Sequence, residues 1–297
     1  MLRYYTHIRH GRPPQPEQLE ALSARYRAIG GLSPLYAVSR DQAQGLQDRL
    51  DRKYGKEAVP VALGFKHAPP FIADGVQELV RNGVQRIIGL VLAPHYSTMS
   101  VGEYFHDAKE AAAQTGADVS FEGIASWHLQ PELIELWGRR VEAGLQQFDA
   151  AARGDVEVIF TAHALPERIT AMHDPYVDQL HASGEAVAAL LHLPHYRFAW
   201  QSAGRTPEPW LGPDIAEVIQ TVRDAGRNHV LVCPLGFVAD HLEILYDLDI
   251  ALQERAAALH MQVKRTASFN ADPQFLDVLA AVVQPVIDGY AKDARHG

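Results

Sequence analysis

The chain has 297 residues, 47% of them hydrophobic, enough for one large core or two ordinary ones. Its net charge of −9 excludes the basic face that nucleic-acid binding needs and argues against an anionic membrane surface. The single cysteine, Cys233, allows no intrachain disulfide and no Cys-ligated iron–sulfur cluster, and its apolar surroundings predict an inert buried thiol.

Residues 3–14 are polar, aromatic and basic, and predict a loop or short helix ended by Gly11 and two prolines. The opening residues have no apolar stretch of the signal-peptide kind, and no apolar run approaches a membrane span, so a cytoplasmic location is expected. Pro16-Glu17 opens a helix with Leu19, Leu22, Tyr26 and Ile29 on one face, ended by Gly30-Gly31. A second helix is predicted over 39–54, a strand over 60–65, and a loop over 66–70. A helix over 71–82 leads to an almost wholly apolar strand over 86–92, the pattern of a parallel strand covered on both faces. Next come a loop at 93–97, a helix over 101–115, a strand over 118–124, and a helix that Pro131 opens and that runs to 148.

The second part repeats the alternation. A buried strand is predicted over 156–161, with His163 in the loop beyond it and Pro166 ending regular structure. A helix over 176–191, a strand over 197–201, a turn-rich loop and a helix over 213–225 follow. After them come a strand over 229–234, one long helix over 240–258, and a strand over 262–267. Asp272 at N-cap and Pro273 at N1 open a final helix reaching about 291.

Alternating strands and helices mean parallel sheets with helices on both faces. The order of elements repeats, which predicts an α/β fold of two similar Rossmann-like, doubly wound halves, residues 1–150 and 151–297, with a cleft between them. The halves match if the first lacks an opening strand, and the C-terminal helix is free to pack back on the first half.

Two features carry chemistry. His163 follows a strand's C-terminal end, where open α/β sheets bind ligands, although one histidine in a loop is more often unremarkable. Asp240, Glu243 and Asp247 are spaced to share one face of the predicted helix that follows another strand end. Such a face is ordinarily only solvated. Set opposite His163, it could bind a divalent metal at an open site or move protons.

The strings Phe160-Thr161-Ala162-His163-Ala164-Leu165-Pro166-Glu167, Trp200-Gln201-Ser202, Thr206-Pro207-Glu208-Pro209-Trp210-Leu211-Gly212-Pro213 and Gly236 to Asp247 together resemble the ferrochelatases. The likeness runs from Arg3-Tyr4-Tyr5 through Gly30-Gly31-Leu32-Ser33-Pro34-Leu35 and Ala93-Pro94-His95-Tyr96-Ser97 to the last helix. It is strongest to the soluble, monomeric bacterial type that inserts ferrous iron into coproporphyrin III. The resemblance implies a chelatase-like fold and a lyase of haem biosynthesis with porphyrin and Fe²⁺ as substrates and no prosthetic group. It implies His163 and Glu243 as the catalytic and metal-binding pair facing each other across the macrocycle. It also implies Arg9, Arg25, Tyr26, Ser33 and Tyr104 as porphyrin-binding residues, and Asp247 on a possible metal path. Lys66-His67 matches a family string too, with a structural loop role at least as expected as a functional one. Which of His163 and Glu243 takes the pyrrole protons is open.

Two departures accompany the likeness. The family begins with a short apolar strand and a tyrosine-bearing turn that this chain does not contain, and Ala251 stands where the family often has another acid. Three other readings remain beside the leading one. They are a protoporphyrin IX ferrochelatase, a non-catalytic tetrapyrrole- or metal-binding relative, and a helix-faced interaction module.

Overall fold

A computed structural model describes residues 1–9, 11–204 and 206–296, with side chains to 290. The chain forms two compact units, and neither is one continuous stretch. The first comprises residues 1–91, 101–125 and 271–297, the second residues 92–100 and 126–270.

In the first unit α1 (Leu2–Ile8), α2 (Pro16–Ala28), α3 (Leu35–Tyr54) and α4 (Ile72–Arg81) precede β1 (Arg86–Leu90). Then come α5 (Val101–Gln114), β2 (Ser120–Ile124) and, from the chain end, α11 (Pro273–His296). β1 and β2 pair in parallel, Ile87 beside Phe121. α4 and α5 cover them through Val76, Ile87, Ala108, Ala111 and Ala112. α11 lies against α3, where Arg49 Nε meets Asp277 at 2.5 Å and the Tyr54 hydroxyl donates to Asp288 at 2.7 Å. A Cβ on Gly45 would stand 2.3 Å from Leu276 Cδ1, so any larger residue there would force that leucine to move.

The strand expected over 60–65 does not form. Its backbone is engaged elsewhere: Val61 N–H donates to Gln47 Oε1 at 2.7 Å, Phe65 N–H to the Pro70 carbonyl, and Phe65 O accepts from Ile72. β1 is shorter than the apolar run, and only Ile87 in it is fully buried, as suits a sheet with two strands among the described residues.

The second unit carries α6 (Pro131–Leu145), β3 (Glu157–His163), α7 (Tyr176–Leu191), β4 (Tyr196–Gln201) and α8 (Ile215–Asp224). β5 (His229–Cys233), α9 (Leu242–Leu245), α10 (Leu252–Ala258) and β6 (Gln262–Arg265) complete it. All four strands are parallel, in the order β4-β3-β5-β6. β3 is buried along nearly its whole length, which is why its interior, Val158 to Ala162, reads as an apolar run broken only by Thr161.

Strand alternation sorts its side chains. Phe160, Phe198 and Leu231 face α6 and α7, and Gly184 of α7 sits against both phenylalanines. Ile159, Ala199, Val230 and Val232 face α8 and α10, in a core with Ile219, Ile244, Leu248 and Leu252. Cys233 is fully buried at the end of β5, and burial pushes its thiol far above the ordinary range.

The helix expected as one piece over 240–258 is interrupted. α9 spans four residues, and Asp247–Ala251 is π-helical, Ala251 N–H reaching back five residues to Tyr246 O at 2.9 Å. Asp240 precedes the helix instead of lying on its face. It accepts from Arg265, Ser268 (2.7 Å) and Asn270 (2.9 Å), so its carboxylate is spent on holding the loop.

At the N-terminal end of β3, the buried Glu157 carboxylate meets Arg197 Nε at 2.9 Å and the Arg227 guanidinium. Glu157→Ala removes the shared acceptor and leaves two cations together. It should lower the unfolding free energy by about 2–3 kcal/mol in urea titration, the low end for a buried pair because Arg197 stays partly hydrated. Activity per folded molecule should be unchanged.

Candidate active site

β3 and β5 lie on either side of the point where the strand order reverses, since the chain goes from β3 outward to β4 and then returns past β3 to β5. Residues at the C-terminal ends of these two strands therefore converge. His163 is the last residue of β3, paired with Gln201 of β4, not a loop residue beyond the strand. Glu243 comes from α9, ten residues after β5 ends at Cys233.

The two meet. His163 Nε2 lies 3.4 Å from Glu243 Oε1. The imidazole Nδ1–H donates to the Ala164 carbonyl at 2.5 Å, because a carbonyl can only accept. Nε2 is therefore the nitrogen left for chemistry. His241 repeats the arrangement from the other side: its Nδ1–H donates to Ala239 O at 3.0 Å, and its Nε2 lies 3.2 Å from Glu243 Oε2. One carboxylate thus stands between two imidazoles, each with its other nitrogen committed to backbone. A neutral His163 ring of that tautomer would aim a lone pair at the carboxylate, so its contact with Glu243 favours the protonated ring.

Burial works against a charged His163, yet Glu243 and its hydrogen bond, with Asp247 further off, raise the imidazole above its ordinary 6.5. Burial alone would push Glu243 up. His163 and His241 reverse this and hold the carboxyl well below its ordinary range. The side chains are 32% and 34% exposed, sheltered but within reach of a ligand. Among the described residues no group of three or more His, Cys, Asp or Glu is placed to hold a metal ion. The pair offers two ligands to a passing ion and leaves its remaining positions open.

Neighbouring residues fix the pair. Thr161, His163 and Gln201 share the sheet face toward α8. Thr161 Oγ1 donates to Gln201 Oε1 at 2.8 Å, and Gln201 Nε2 donates to the Glu243 carbonyl at 3.0 Å. The Tyr176 hydroxyl donates to the His163 carbonyl at 3.0 Å, and the Phe237 ring lies 6.5 Å from that of His163. Asp247, on the π-helical turn, accepts from Ser202 Oγ at 2.5 Å. His241, Gln201 and Ser202 stood inside the strings that carried the resemblance. Neither their spacing nor their type marked them as partners of the pair, and Tyr176 lay outside every such string.

The other expected site residues belong to the first unit. Arg9 caps α1, its guanidinium 5.8 Å from the Tyr5 ring and its buried Nε–H without an acceptor among the described residues. Arg25 and Tyr26 are in the last turn of α2. Ser33 Oγ accepts from Leu35 N–H in the turn before α3. Tyr104 is on α5, with Lys66 Nζ 5.8 Å from its ring and Glu103 paired to the same lysine. Among the described residues no helix is long and apolar enough to cross a membrane.

Comparison with known proteins gives concordant results. The ferrochelatase family model matches residues 6–286. A ferrochelatase of Herpetosiphon aurantiacus is 42% identical over 281 residues, covering 95% of this chain and 92% of that one. A coproporphyrin III ferrochelatase of Geobacillus thermodenitrificans is 43% identical over 282 residues, covering 95% and 89%. Among solved structures, SirB from Bacillus subtilis with Fe³⁺ superposes with a TM-score of 0.57 at 13% identity, over 83% of this chain and 88% of that one. That last likeness concerns the fold alone, a chelatase-like α/β architecture with doubly wound parallel sheets. With a family match from residue 6 to residue 286, the chain belongs to the ferrochelatase family.

Proposed function

We propose that this protein inserts Fe²⁺ into coproporphyrin III to give Fe-coproporphyrin in haem biosynthesis, releasing two protons per metal inserted. Fe²⁺ is a substrate of this lyase and not a resident cofactor. The observation that carries the reading is the His163–Glu243 contact at converging strand ends, in a chain 42–43% identical to coproporphyrin III ferrochelatases over 95% of its length. We place the enzyme in the cytoplasm as a monomer.

Insertion needs two things from side chains: a base for the pyrrole N–H protons and ligands that replace water on the metal stepwise. An imidazole with Nδ1 pinned presents Nε2 for either task once it has given up the Nε2 proton it shares with Glu243. Glu243, held as a carboxylate, offers a hard oxygen ligand and stabilises an imidazolium once formed. Arg9, Arg25, Tyr26, Ser33 and Tyr104 bind the porphyrin in this reading, cations and hydroxyls suiting its propionates. Asp247, one turn past Glu243 and hydrogen-bonded to Ser202, lies on the proposed metal path.

The direct test is anaerobic Fe²⁺ insertion, with coproporphyrin III turned over well in excess of protoporphyrin IX. The reverse ratio would assign the dipropionate substrate instead. His163→Ala should lose insertion by about 100-fold or more while still quenching porphyrin fluorescence on binding. Normal insertion by that variant would remove His163 from the mechanism.

The pair also has a pH signature. The stabilisation behind the raised His163 pKa is complete below the ordinary 6.5 and is lost as pH rises through the folded value. That behind the lowered Glu243 pKa is present above the ordinary 4.5 and is lost as pH falls through the folded value. The contact is therefore strongest between these two ordinary values. In Glu243→Gln the burial remains and the compensating charge is gone, so the His163 titration should move from above 6.5 to below it. Histidine NMR titration reads this, and an unmoved resonance would show that Glu243 does not set the imidazole's basicity.

A further inference from the structure

The ring of His163 is oriented by its own short hydrogen bond to the Ala164 carbonyl, so where Nε2 points depends on the backbone from His163 through Ala164. That backbone is at the end of a sheet: on the β4 edge Ala164 N–H still donates to Gln201 O at 2.8 Å, while on the β5 edge the ladder bonds run out. Alternation puts the carbonyls of Thr161 and His163 on the same edge of β3. Thr161 O still accepts from a backbone N–H, that of Gly236 at 3.1 Å. Two residues on, the His163 carbonyl accepts from a phenol, the Tyr176 hydroxyl at 3.0 Å.

Tyr176 is itself tightly placed. It is the first residue of α7, 7% exposed, with its ring 5.6 Å from that of Trp200. Its backbone N–H donates to Asp174 Oδ1 at 3.1 Å. Asp174 Oδ2 accepts from Ser97 Oγ at 3.0 Å and from the Thr98 N–H at 2.7 Å. Burial, with the negative charges of Glu243 and Asp174, pushes the phenol far above its ordinary range, which keeps it a donor at every pH the enzyme meets.

We infer that Tyr176 is a positioning residue for metal insertion: its hydroxyl, opposite the Ala164 N–H bond to Gln201 O, completes the fixing of the 163–164 peptide, sets where the Ala164 carbonyl that follows stands, and thereby aims His163 Nε2 at Glu243. This rests on the proposed role of His163. Tyr176 touches no reacting atom. Without its hydroxyl, the carbonyl loses its donor, and the 163–164 peptide is held from one side alone, by the Ala164 N–H that donates to Gln201 O at 2.8 Å. An ångström of displacement at Nε2 is enough to cost an order of magnitude or more in rate.

The test uses the full chain with three residues at position 176. Tyr176→Phe keeps the packing on Trp200 and removes the donor. Para-aminophenylalanine restores a donor at the same place, and para-methoxyphenylalanine fills the space with none. Turnover and the ¹⁵N shift of His163 Nδ1 are measured on each at one pH. Tyr176→Phe should lower kcat about tenfold with KM for porphyrin and for metal within twofold, and should shift or broaden the His163 resonance. The para-amino residue should recover both, and the para-methoxy residue neither. An unchanged kcat with an unchanged resonance overturns the inference, as does equal behaviour of the para-amino and para-methoxy residues. If the wild-type chain inserts no metal, the proposed function fails on its own, and the His163 resonance alone decides the role of Tyr176.

Discussion

A carboxylate set between two imidazoles is the constraint around which the second unit is arranged. Glu243 has one oxygen toward His163 and the other toward His241, at 3.4 and 3.2 Å. Both rings spend their remaining nitrogen on a backbone carbonyl. The contact with His163 is favourable while that ring is protonated, and either contact is lost when its ring turns. The geometry therefore has to come from backbone and not from side-chain packing. β3 supplies one wall, and the extended residue before α9 supplies the other.

That demand explains features that look unrelated. Asp240 gives its whole carboxylate to Arg265, Ser268 and Asn270, which anchors the loop from which His241 and Glu243 project. Arg265 also grips Asp249 with two nitrogens, at 2.6 and 2.8 Å, so the π-helical turn and the loop before it hang on one guanidinium. An insertion in a helix strains its hydrogen-bond ladder and persists where the surroundings hold it. Here it brings Asp247 to Ser202, next to the strand end that carries Gln201. The Glu157 clamp ties the opposite ends of β3 and β4, far along the strands from any chemistry.

How far the sequence alone could reach differs from element to element. β3 was readable because a central parallel strand buries both faces and shows no alternation. α11 was readable from its start, Asp272 followed by Pro273. The segment 60–65 has strand composition, and no local signal reveals that Gln47 takes its first amide. His163 was placed past the strand because Pro166 marks the end of regular structure, whereas the ladder with Gln201 includes it. The acidic spacing of Asp240, Glu243 and Asp247 suggested one helical face, but the π-helical turn and the cap at His241 broke it. The His163–Glu243 contact joins residues 80 apart in sequence, and only the β3–β5 pairing brings their strand ends together. The resemblance named the pair; spacing could not have. His241 and Tyr176 act through hydrogen bonds to an oxygen and a carbonyl, which leave no trace in a pattern of hydrophobic and charged letters.

The position of Cys233 has one more implication. The thiol closes β5, paired with Phe160 of β3, and it is fully enclosed and held in its protonated form. A thiol reagent can reach it only when that part of the sheet opens. Because the chain has no other cysteine, the rate at which the native protein is alkylated is a single-site clock for opening of the sheet that carries the metal-handling pair.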